Sequence, residues 1–140
     1  MKVSVAIMIL CTVFAINAKA QTAGPQTIRA NVPFSFTVGE KTLPAGVYTV
    51  SVLNPASDRK VLQLRSKDGH ASAMVQTVAV KGALCDNAKL VFRRYGDRHF
   101  FAKAQLAGDS TGYATTKTHA ERATQRATKR DASNTEIAAF

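Results

Sequence analysis

The side chains that could do chemistry in this chain are few and widely separated. The three histidines lie far apart, at His70, His99 and His119, and the chain has no Cys-x-x-Cys or His-Glu-x-x-His motif that would indicate zinc. Most of the nine acidic residues lie in turn-forming stretches, where carboxylates usually accept hydrogen bonds from backbone amides. The sequence therefore predicts no catalytic constellation, no metal site and no cofactor, and we expect a protein that is not an enzyme.

One stretch does combine basic and aromatic side chains at alternating positions. Rings beside cations can stack on a flat ligand while they neutralise an anion. The same face could instead pack beneath a helix or a second sheet, with its charged ends reaching solvent. On the first interpretation this face is the candidate binding surface. Its members are Arg93, Tyr95, His99, Phe101 and Lys103.

A second group of cations lies near the end of the chain. Helix-forming residues over 114–130 predict a polar helix whose apolar face consists only of Ala120, Ala123 and Ala127. So thin a face anchors weakly, and it would associate with an anionic surface by charge alone. We expect residues 131–140 to be disordered. The cations of this basic tail are Lys117, Arg122, Arg126, Lys129 and Arg130.

The first twenty residues are typical of a secretory signal peptide. Lys2 precedes an apolar run, and small residues then predict cleavage between Ala20 and Gln21. We expect an exported protein, periplasmic or extracellular, with no transmembrane segment after cleavage. The net charge of +10 falls by two when Lys2 and Lys19 leave. Such a basic chain favours anionic partners, although it carries no specific nucleic-acid motif.

Cysteine usage excludes an internal disulfide in the exported chain. Cys11 leaves with the predicted signal peptide, and Cys85 remains alone in a loop-forming stretch. Cys85 is expected either to pair with another chain or to act as a small, half-buried residue. The fold must therefore be held together by packing.

Period-two alternation of apolar residues predicts strands over much of the chain. Residues 32–38 and 47–52 each place their apolar side chains on one face, and Pro33 indicates an edge or a bend because it has no N–H to donate. A hairpin over 61–80 is predicted to turn at Asp68-Gly69 through a type I′ turn. Its predicted pairs are Leu62 with Val75 and Leu64 with Ala73.

A second hairpin is predicted over residues 89–106, and the matching of its faces selects the loop length. A two-residue loop would place the aromatic ring of Phe100 opposite Arg93. A three-residue loop at 96–98 instead matches apolar with apolar, so we expect that loop. Its predicted pairs are Phe92 with Ala102 and Leu90 with Ala104.

These elements favour an all-β fold. Short turns and local hairpins predict an antiparallel meander that forms a small barrel or sandwich of about six to seven strands, plus a C-terminal polar helix. The predicted organisation is a signal peptide (1–20), a flexible leader (21–27), a β-domain (28–113), a basic helix (114–130) and a disordered tail (131–140).

Four segments resemble a family of small secreted bacterial all-β proteins whose activity is uncharacterised. These segments are NVPFSFTVGEKTLPAGVYTV (31–50), VLQLRSKDG (61–69), KLVFRRYGDRHFFA (89–102) and AGDSTG (107–112), and the first carries the shared N-V-P-F-x-F and L-P-A-G-x-Y-x-V patterns. The resemblance implies an all-β fold and export, and it supplies no catalytic residues. The Ala- and Thr-rich basic tail departs from the shared pattern.

The sequence therefore predicts an exported, non-enzymatic accessory or binding module of the bacterial envelope that associates with anionic polymers or surfaces. A function of another class is a small carrier that holds an apolar ligand inside a barrel, although the bulky predicted core would fill such an interior. The excess positive charge could also serve solubility alone. Partner identity and oligomeric state are left open by the sequence.

Overall fold

The computed structural model describes residues 27–128 and 133–140, which form β-strands and one helix. The strands are β1 (Thr27–Val32), β2 (Phe36–Val38), β3 (Lys41–Leu43), β4 (Gly46–Val52), β5 (Val61–Ser66), β6 (Ser72–Gln76), β7 (Val78–Lys81), β8 (Lys89–Tyr95), β9 (Arg98–Gln105), β10 (Thr111–Ala114) and β11 (Ser133–Ala138). The helix α1 spans His119–Thr128. The predicted signal peptide, leader residues 21–26, Lys129 and Arg130 lie outside the described residues.

The strands form two packed sheets. A four-stranded sheet has the order β1-β4-β5-β6, and a seven-stranded sheet has the order β11-β8-β9-β10-β7 with the β2–β3 hairpin joined beside β9. Neighbouring strands are antiparallel except β2, which runs parallel to β9. The all-β prediction is confirmed, and the architecture is a sandwich with a short helix near the C-terminal end.

Within the described residues the chain crosses between the sheets three times, from β1 to β2, from β3 to β4 and from β6 to β7. The first and last crossings interrupt the alternating pattern. Pro33 follows β1 and begins the bend that leads from the four-stranded sheet to β2, which confirms the predicted edge or bend. Thr77 separates β6 from β7, and its N–H and Oγ1 donate to the Lys60 carbonyl at 2.8 and 2.9 Å. The continuous strands predicted over 32–38 and 71–80 are therefore each divided between the two sheets.

The space between the sheets is filled by large side chains. Phe36, Tyr48 and Phe92 are buried, and the Phe36 ring lies 5.1 Å from each of the other two in edge-on contact. Tyr48 Oη donates to the Pro44 carbonyl at 2.7 Å, and burial raises the pKa of this phenol. Side chains thus occupy the interior in which a barrel-type carrier would hold its ligand.

The β5–β6 hairpin has the predicted register but a different turn. Gly69 N–H donates to the Ser66 carbonyl at 2.9 Å, so Lys67 and Asp68 are the central turn residues. Gly69 follows them with φ +77°, a conformation that favours glycine. The longer loop still contains an even number of residues, so each strand keeps its predicted face. The confirmed pairs are Leu62 with Val75 and Leu64 with Ala73.

The β8–β9 hairpin has the two-residue loop, and the predicted three-residue loop is wrong. Tyr95 pairs with Arg98, so the loop consists of residues 96 and 97. Gly96 has φ +61°, which the tight turn requires. Near this loop Arg93 lies opposite Phe100. The sequence pattern disfavours this pairing because it places a charged side chain opposite an aromatic one.

A β-bulge restores the predicted register in the other half of this hairpin. Leu90 pairs with Ala104 as predicted, whereas Phe92 pairs with Phe101 and leaves Ala102 as the extra residue. The bulge lies where the other edge of β9 changes its partner from β2 to β10. One extra residue is needed for apolar side chains to face each other in this half of the hairpin. That residue is Ala102, inside β9, and not a third loop residue.

The predicted disorder at the end of the chain is wrong for residues 133–140. Strand β11 pairs antiparallel with β8 along its whole length, and the half-buried Ile137 packs against the core. Beyond the strand, Phe140 N–H donates to the Arg29 carbonyl at 3.0 Å and joins the seven-stranded sheet to β1. This strand has only one large apolar residue, which is too weak a local signal to predict it.

Candidate binding surfaces

The bulge in β9 divides the predicted binding surface between the two faces of the seven-stranded sheet. Arg93, Tyr95 and Lys103 lie on the outer face, which points away from the four-stranded sheet, whereas His99 and Phe101 lie on the inner face. Phe101 is 3% exposed and belongs to the core. The prediction that these residues share one face is wrong, because it placed the extra residue in the loop.

Helix α1 covers the outer face at its centre. Tyr95 and Phe100 are buried there, with ring centroids 5.8 Å apart. Glu121 of α1, 2% exposed, accepts hydrogen bonds from Arg93 Nε at 2.5 Å and Tyr95 Oη at 3.0 Å through Oε1, and from Arg93 Nη2 at 3.0 Å through Oε2. Burial and the hydrogen bond to Glu121 raise the pKa of Tyr95 to about 12.

Two further cations bind the helix from the same side. Arg98 Nη1 donates to Thr124 Oγ1 at 2.9 Å, and Lys117 Nζ donates to Gln125 Oε1 at 3.1 Å. Lys117 Nζ also lies 5.9 Å from the centre of the Tyr95 ring, within cation–π range. The combination of cations and rings on β8 and β9 therefore holds α1 in place, which is the packing interpretation of this face.

The side of α1 that contacts the sheet is polar. Ala120, Ala123 and Ala127, the predicted docking face, are exposed to solvent. The inward residues recur at helical spacing, so they form one stripe along the helix. These residues are Glu121, Thr124, Gln125 and Thr128. The helix is thus oriented by hydrogen bonds and an ion pair, since alanine burial would contribute little.

The sequence does contain a signal for the start of this helix. Thr118 Oγ1 accepts a hydrogen bond from Glu121 N–H at 3.2 Å, which caps the N-terminal end. A threonine followed three residues later by glutamate is the spacing of a capping box. Here the Glu121 carboxylate turns to Arg93 on β8, so Thr118 caps the helix and Glu121 docks it.

The three described cations of the basic tail differ in their surroundings. Lys117 precedes α1 and bonds Gln125, while Arg122 and Arg126 are exposed on the helix. The remaining two cations of the predicted group lie outside the described residues. The described cations of the tail thus include one that is committed to the helix and two that face solvent.

Lys103 is also held against the sheet. A side chain at Gly112 would place its Cβ 2.7 Å from Lys103 Cδ, so the lysine stem lies directly over this glycine of β10. The stem is half-buried and its charged end can still reach solvent. This residue is therefore a packed edge of the covered face and not part of an open patch.

His99 lies on the inner face beside Phe34. The two rings stack with centroids 3.8 Å apart and planes 13° apart. Among the described residues, no group lies within hydrogen-bond distance of its buried Nδ1. Burial, assisted by the nearby Arg94, lowers the pKa of His99, while Asp97 opposes this shift. The neutral imidazole thus serves as packing surface.

The outer face of the four-stranded sheet carries no covering element among the described residues. Exposed and buried positions alternate along β1 and β5, as expected when one face packs on the core and the other meets solvent. Strand pairing places Arg29, Thr49, Arg65 and Ser72 in one row across the four strands. Because neighbouring strands lie about 4.8 Å apart, the two arginine Cα atoms are roughly 10 Å apart.

A third cation lies next to this row. Lys67 follows β5, and its backbone N–H donates to the Val47 carbonyl at 2.9 Å, which places it in the adjoining row. Within the described residues, neither Lys67, Arg29 nor Arg65 forms an ion pair. We call Arg29, Thr49, Arg65 and Lys67 the basic end of the open face.

A groove of about 410 Å³ opens within the basic end of the open face. Its one carboxylate, on Asp68, accepts hydrogen bonds from Ser66 Oγ at 2.5 Å and from His70 N–H at 3.1 Å. These bonds, that of Ser66 first, lower the pKa of Asp68. The carboxylate is thereby engaged within the turn, and the arginine and lysine remain available. The lining residues are Thr49, Arg65, Ser66, Lys67, Asp68 and Gly69.

A larger groove of about 650 Å³ lies at the neighbouring end of the sandwich. It runs between residues 44–48 and the turn that joins β5 to β6, and its lining is mainly apolar. The buried Tyr48 lines it, together with Lys67 and His70. This apolar groove lies outside the filled interior of the sandwich.

Residues 27–128 and 133–140 also lack a metal-binding cluster and a membrane-spanning helix. No group of three or more His, Cys, Asp or Glu side chains lies close enough there to hold a metal ion. No helix in the same ranges is long and apolar enough to cross a membrane. Comparison with protein-family models, with curated proteins and with solved structures found nothing that matches this chain.

Proposed function

We propose that this protein is an exported, non-enzymatic module of the bacterial envelope that binds anionic polymers through the basic end of the open face. The observation that carries the proposal is the row Arg29–Thr49–Arg65 on a sheet face that no element of residues 27–128 and 133–140 covers. Lys67 adds a third cation beside it. The other sheet has comparable cations, but there they are engaged by α1.

The chemistry of these side chains suits carboxylate or phosphate groups. An arginine can donate two parallel hydrogen bonds to such a group, and the Thr49 hydroxyl can donate a third between two arginines. The row crosses paired strands, so the backbone fixes the spacing of the positions from which these side chains extend. A polymer whose anionic groups recur at roughly 10 Å would meet both arginines at once.

Export forms part of the proposal and rests on the sequence of residues 1–20. If the full chain is expressed in a bacterial host, the mature protein should appear outside the cytoplasm with Gln21 as its first residue. N-terminal sequencing and intact mass of the fractionated protein test this. Retention of Met1 in a cytoplasmic product would contradict export.

Binding is tested by cosedimentation of the purified protein with cross-linked polygalacturonate over a salt series. We expect the double variant Arg29→Gln/Arg65→Gln to bind about tenfold or more weakly, since it loses two exposed charge contacts of roughly 1 kcal/mol each. The matched control is Arg122→Gln/Arg126→Gln, which removes the same charge from exposed positions on α1.

The two variants separate a specific surface from general attraction. Equal losses in both would show that net charge alone drives binding and would contradict the proposed surface. Phosphatidylglycerol vesicles form a second arm of the same experiment. Binding to vesicles but not to polygalacturonate would replace the polymer with a lipid headgroup surface.

The apolar groove of about 650 Å³ supports a second candidate function, a carrier for a small apolar ligand. Its location differs from the barrel interior that the sequence suggests, since side chains fill the interior. Titration with an uncharged fluorescent apolar probe such as Nile red tests it. Binding that is lost in Ala45→Arg, an exposed position in the groove lining, would favour the carrier.

A further inference from the structure

The strands that end the two sheets differ in how their outer edges are protected. At one side of the sandwich, Phe140 N–H bonds the Arg29 carbonyl and joins the β11 end to β1. At the other side, the β2–β3 hairpin packs against β6, and Lys41 Nζ donates to the Ser72 carbonyl at 2.6 Å. Strand β7 has no such cover among the described residues, and all of its positions are exposed.

The backbone groups on the open edge of β7 can be assigned from its pairing with β10. Gly82 N–H donates to the Ser110 carbonyl at 2.8 Å, and the register pairs Val80 with Gly112. In an antiparallel ladder, hydrogen-bonded pairs alternate with non-bonded ones. Val78 and Val80 therefore bond toward β10, and the N–H and C=O groups of residues 79 and 81 point outward.

This edge is also apolar. Val78, Val80 and Leu84 are 44%, 36% and 67% exposed. Soluble proteins usually protect such an edge with charges, proline or a covering element, because a free edge readily pairs with another strand. The single charge on β7 is Lys81, at its end.

From this we infer that β7 pairs with β7 of a second copy of this chain, in an antiparallel arrangement centred on Val80. In that register Ala79 lies opposite Lys81 of the second copy, and the outward groups of both residues form hydrogen bonds across the interface. Val80 then faces Val80 of the second copy at a non-bonded position, where side chains approach most closely. The segment is self-complementary in this register, and no lysine faces another lysine.

Charge gives the association a characteristic salt dependence. Both copies carry a large positive charge, so their mutual repulsion weakens as added salt screens it. Dimerisation should therefore strengthen with salt, whereas polyanion binding should weaken. The inference does not depend on the proposed function, and the opposite salt responses keep the two tests apart.

Sedimentation equilibrium of the purified protein up to about 1 mM, a weak-affinity limit, tests the dimer. We expect a monomer–dimer equilibrium that Val80→Asp shifts toward monomer by about tenfold or more. Met74→Asp is the matched control, because Met74 is 65% exposed on the covered edge strand β6, and its shift should stay within about twofold. A protein that is monomeric throughout, or a dimer that both variants weaken equally, would overturn the inference.

Disulfide trapping tests the register itself and keeps the inference falsifiable if Val80→Asp fails to fold. In a Cys85→Ser background, Val80→Cys should form a linked dimer under mild oxidation, because non-bonded antiparallel partners have Cα atoms about 4.5 Å apart. Val78→Cys faces Gly82 of the second copy in this register and should link several-fold less. Equal linking by the two variants, or none by Val80→Cys, would contradict the register.

Discussion

The outer faces of the two sheets carry similar side chains, but they differ in whether the chain itself engages them. On the seven-stranded sheet, Arg93 and Arg98 bond residues of α1. On the four-stranded sheet, Arg29 and Arg65 have no ion-pair partner among the described residues. Cations beside rings therefore do not identify a binding surface by composition. The surface proposed for an external partner is the one whose arginines are not bonded by α1. Arg29 there lies over the exposed Phe140 ring, 5.6 Å from its centroid.

The largest expected effect concerns the contact that covers the seven-stranded sheet. Glu121→Ala removes the acceptor of two Arg93 hydrogen bonds and one from Tyr95, and it leaves a largely buried cation unpaired. Breaking a buried ion pair on one side costs about 3 kcal/mol or more in the free energy of unfolding. Urea denaturation followed by circular dichroism measures the loss.

A double variant distinguishes the ion pair from simple packing. Arg93→Met/Glu121→Leu replaces both charges with apolar side chains of similar size, and such replacements are often nearly neutral. We expect it to recover most of the stability lost in Glu121→Ala. A loss below about 0.5 kcal/mol in Glu121→Ala would mean that α1 does not depend on this contact.

The next effect is smaller and depends on pH. The pKa of Tyr95 is raised to about 12, so the native state holds this proton more tightly than the unfolded chain. The stability that this pKa difference contributes is fully present below pH 10, the ordinary pKa of tyrosine, and is lost as the pH rises toward 12. Tyr95→Phe should cost about 1.5 kcal/mol at neutral pH and should remove this alkaline loss.

The alkaline effect is checked by denaturation at pH 8 and at pH 10.5. Tyr48→Phe serves as the comparison, because burial raises its pKa but its hydroxyl bonds a backbone carbonyl and not α1. If Tyr95 ionised freely near pH 10 in the folded protein, the covered face would be open to solvent. That result would remove the difference between the two sheets.

The inner placement of His99 predicts a small effect at acid pH. Because burial lowers its pKa, the unfolded chain binds this proton more readily than the native state. Its contribution to stability is present above pH 6.5, the ordinary value, and declines as the pH falls below it. His99→Phe should reduce the decline between pH 7.5 and 5.

The smallest expected effect tests the orientation of α1. Ala123→Lys adds a charge to a face that points to solvent, so it should change the free energy of unfolding by less than about 0.5 kcal/mol. If the alanine face docked against the sheet, the same variant would bury an unpaired lysine and cost several kcal/mol. Urea denaturation separates these outcomes directly.

Local pattern predicted much of the fold correctly. The alternation of apolar residues predicted which side chains of the β5–β6 hairpin point toward the core. The predicted register is also right, even though the central turn residues are Lys67 and Asp68. Any loop with an even number of residues leaves the same side chains of the two strands facing the core. Pro33 likewise marked the bend between the sheets, since a residue without an N–H rarely continues a paired strand.

The errors in the site arose from non-local choices. The position of the bulge at Ala102 depends on the change from β2 to β10 beside β9, which pairing within one hairpin does not encode. The docking of α1 depends on Glu121 meeting Arg93, residues distant in the chain. The basic end of the open face was missed because Arg29 and Arg65 come from strands that only the sheet order makes near neighbours.

The most direct measurement is backbone amide NMR of the labelled protein during titration with soluble oligogalacturonate. If the open sheet is the binding surface, the largest shift changes fall on Arg29, Thr49, Arg65 and Lys67 and diminish with added salt. The amides of α1 and β8 should change little. Shift changes concentrated on α1 and β8, with the four-stranded sheet unaffected, would contradict the account.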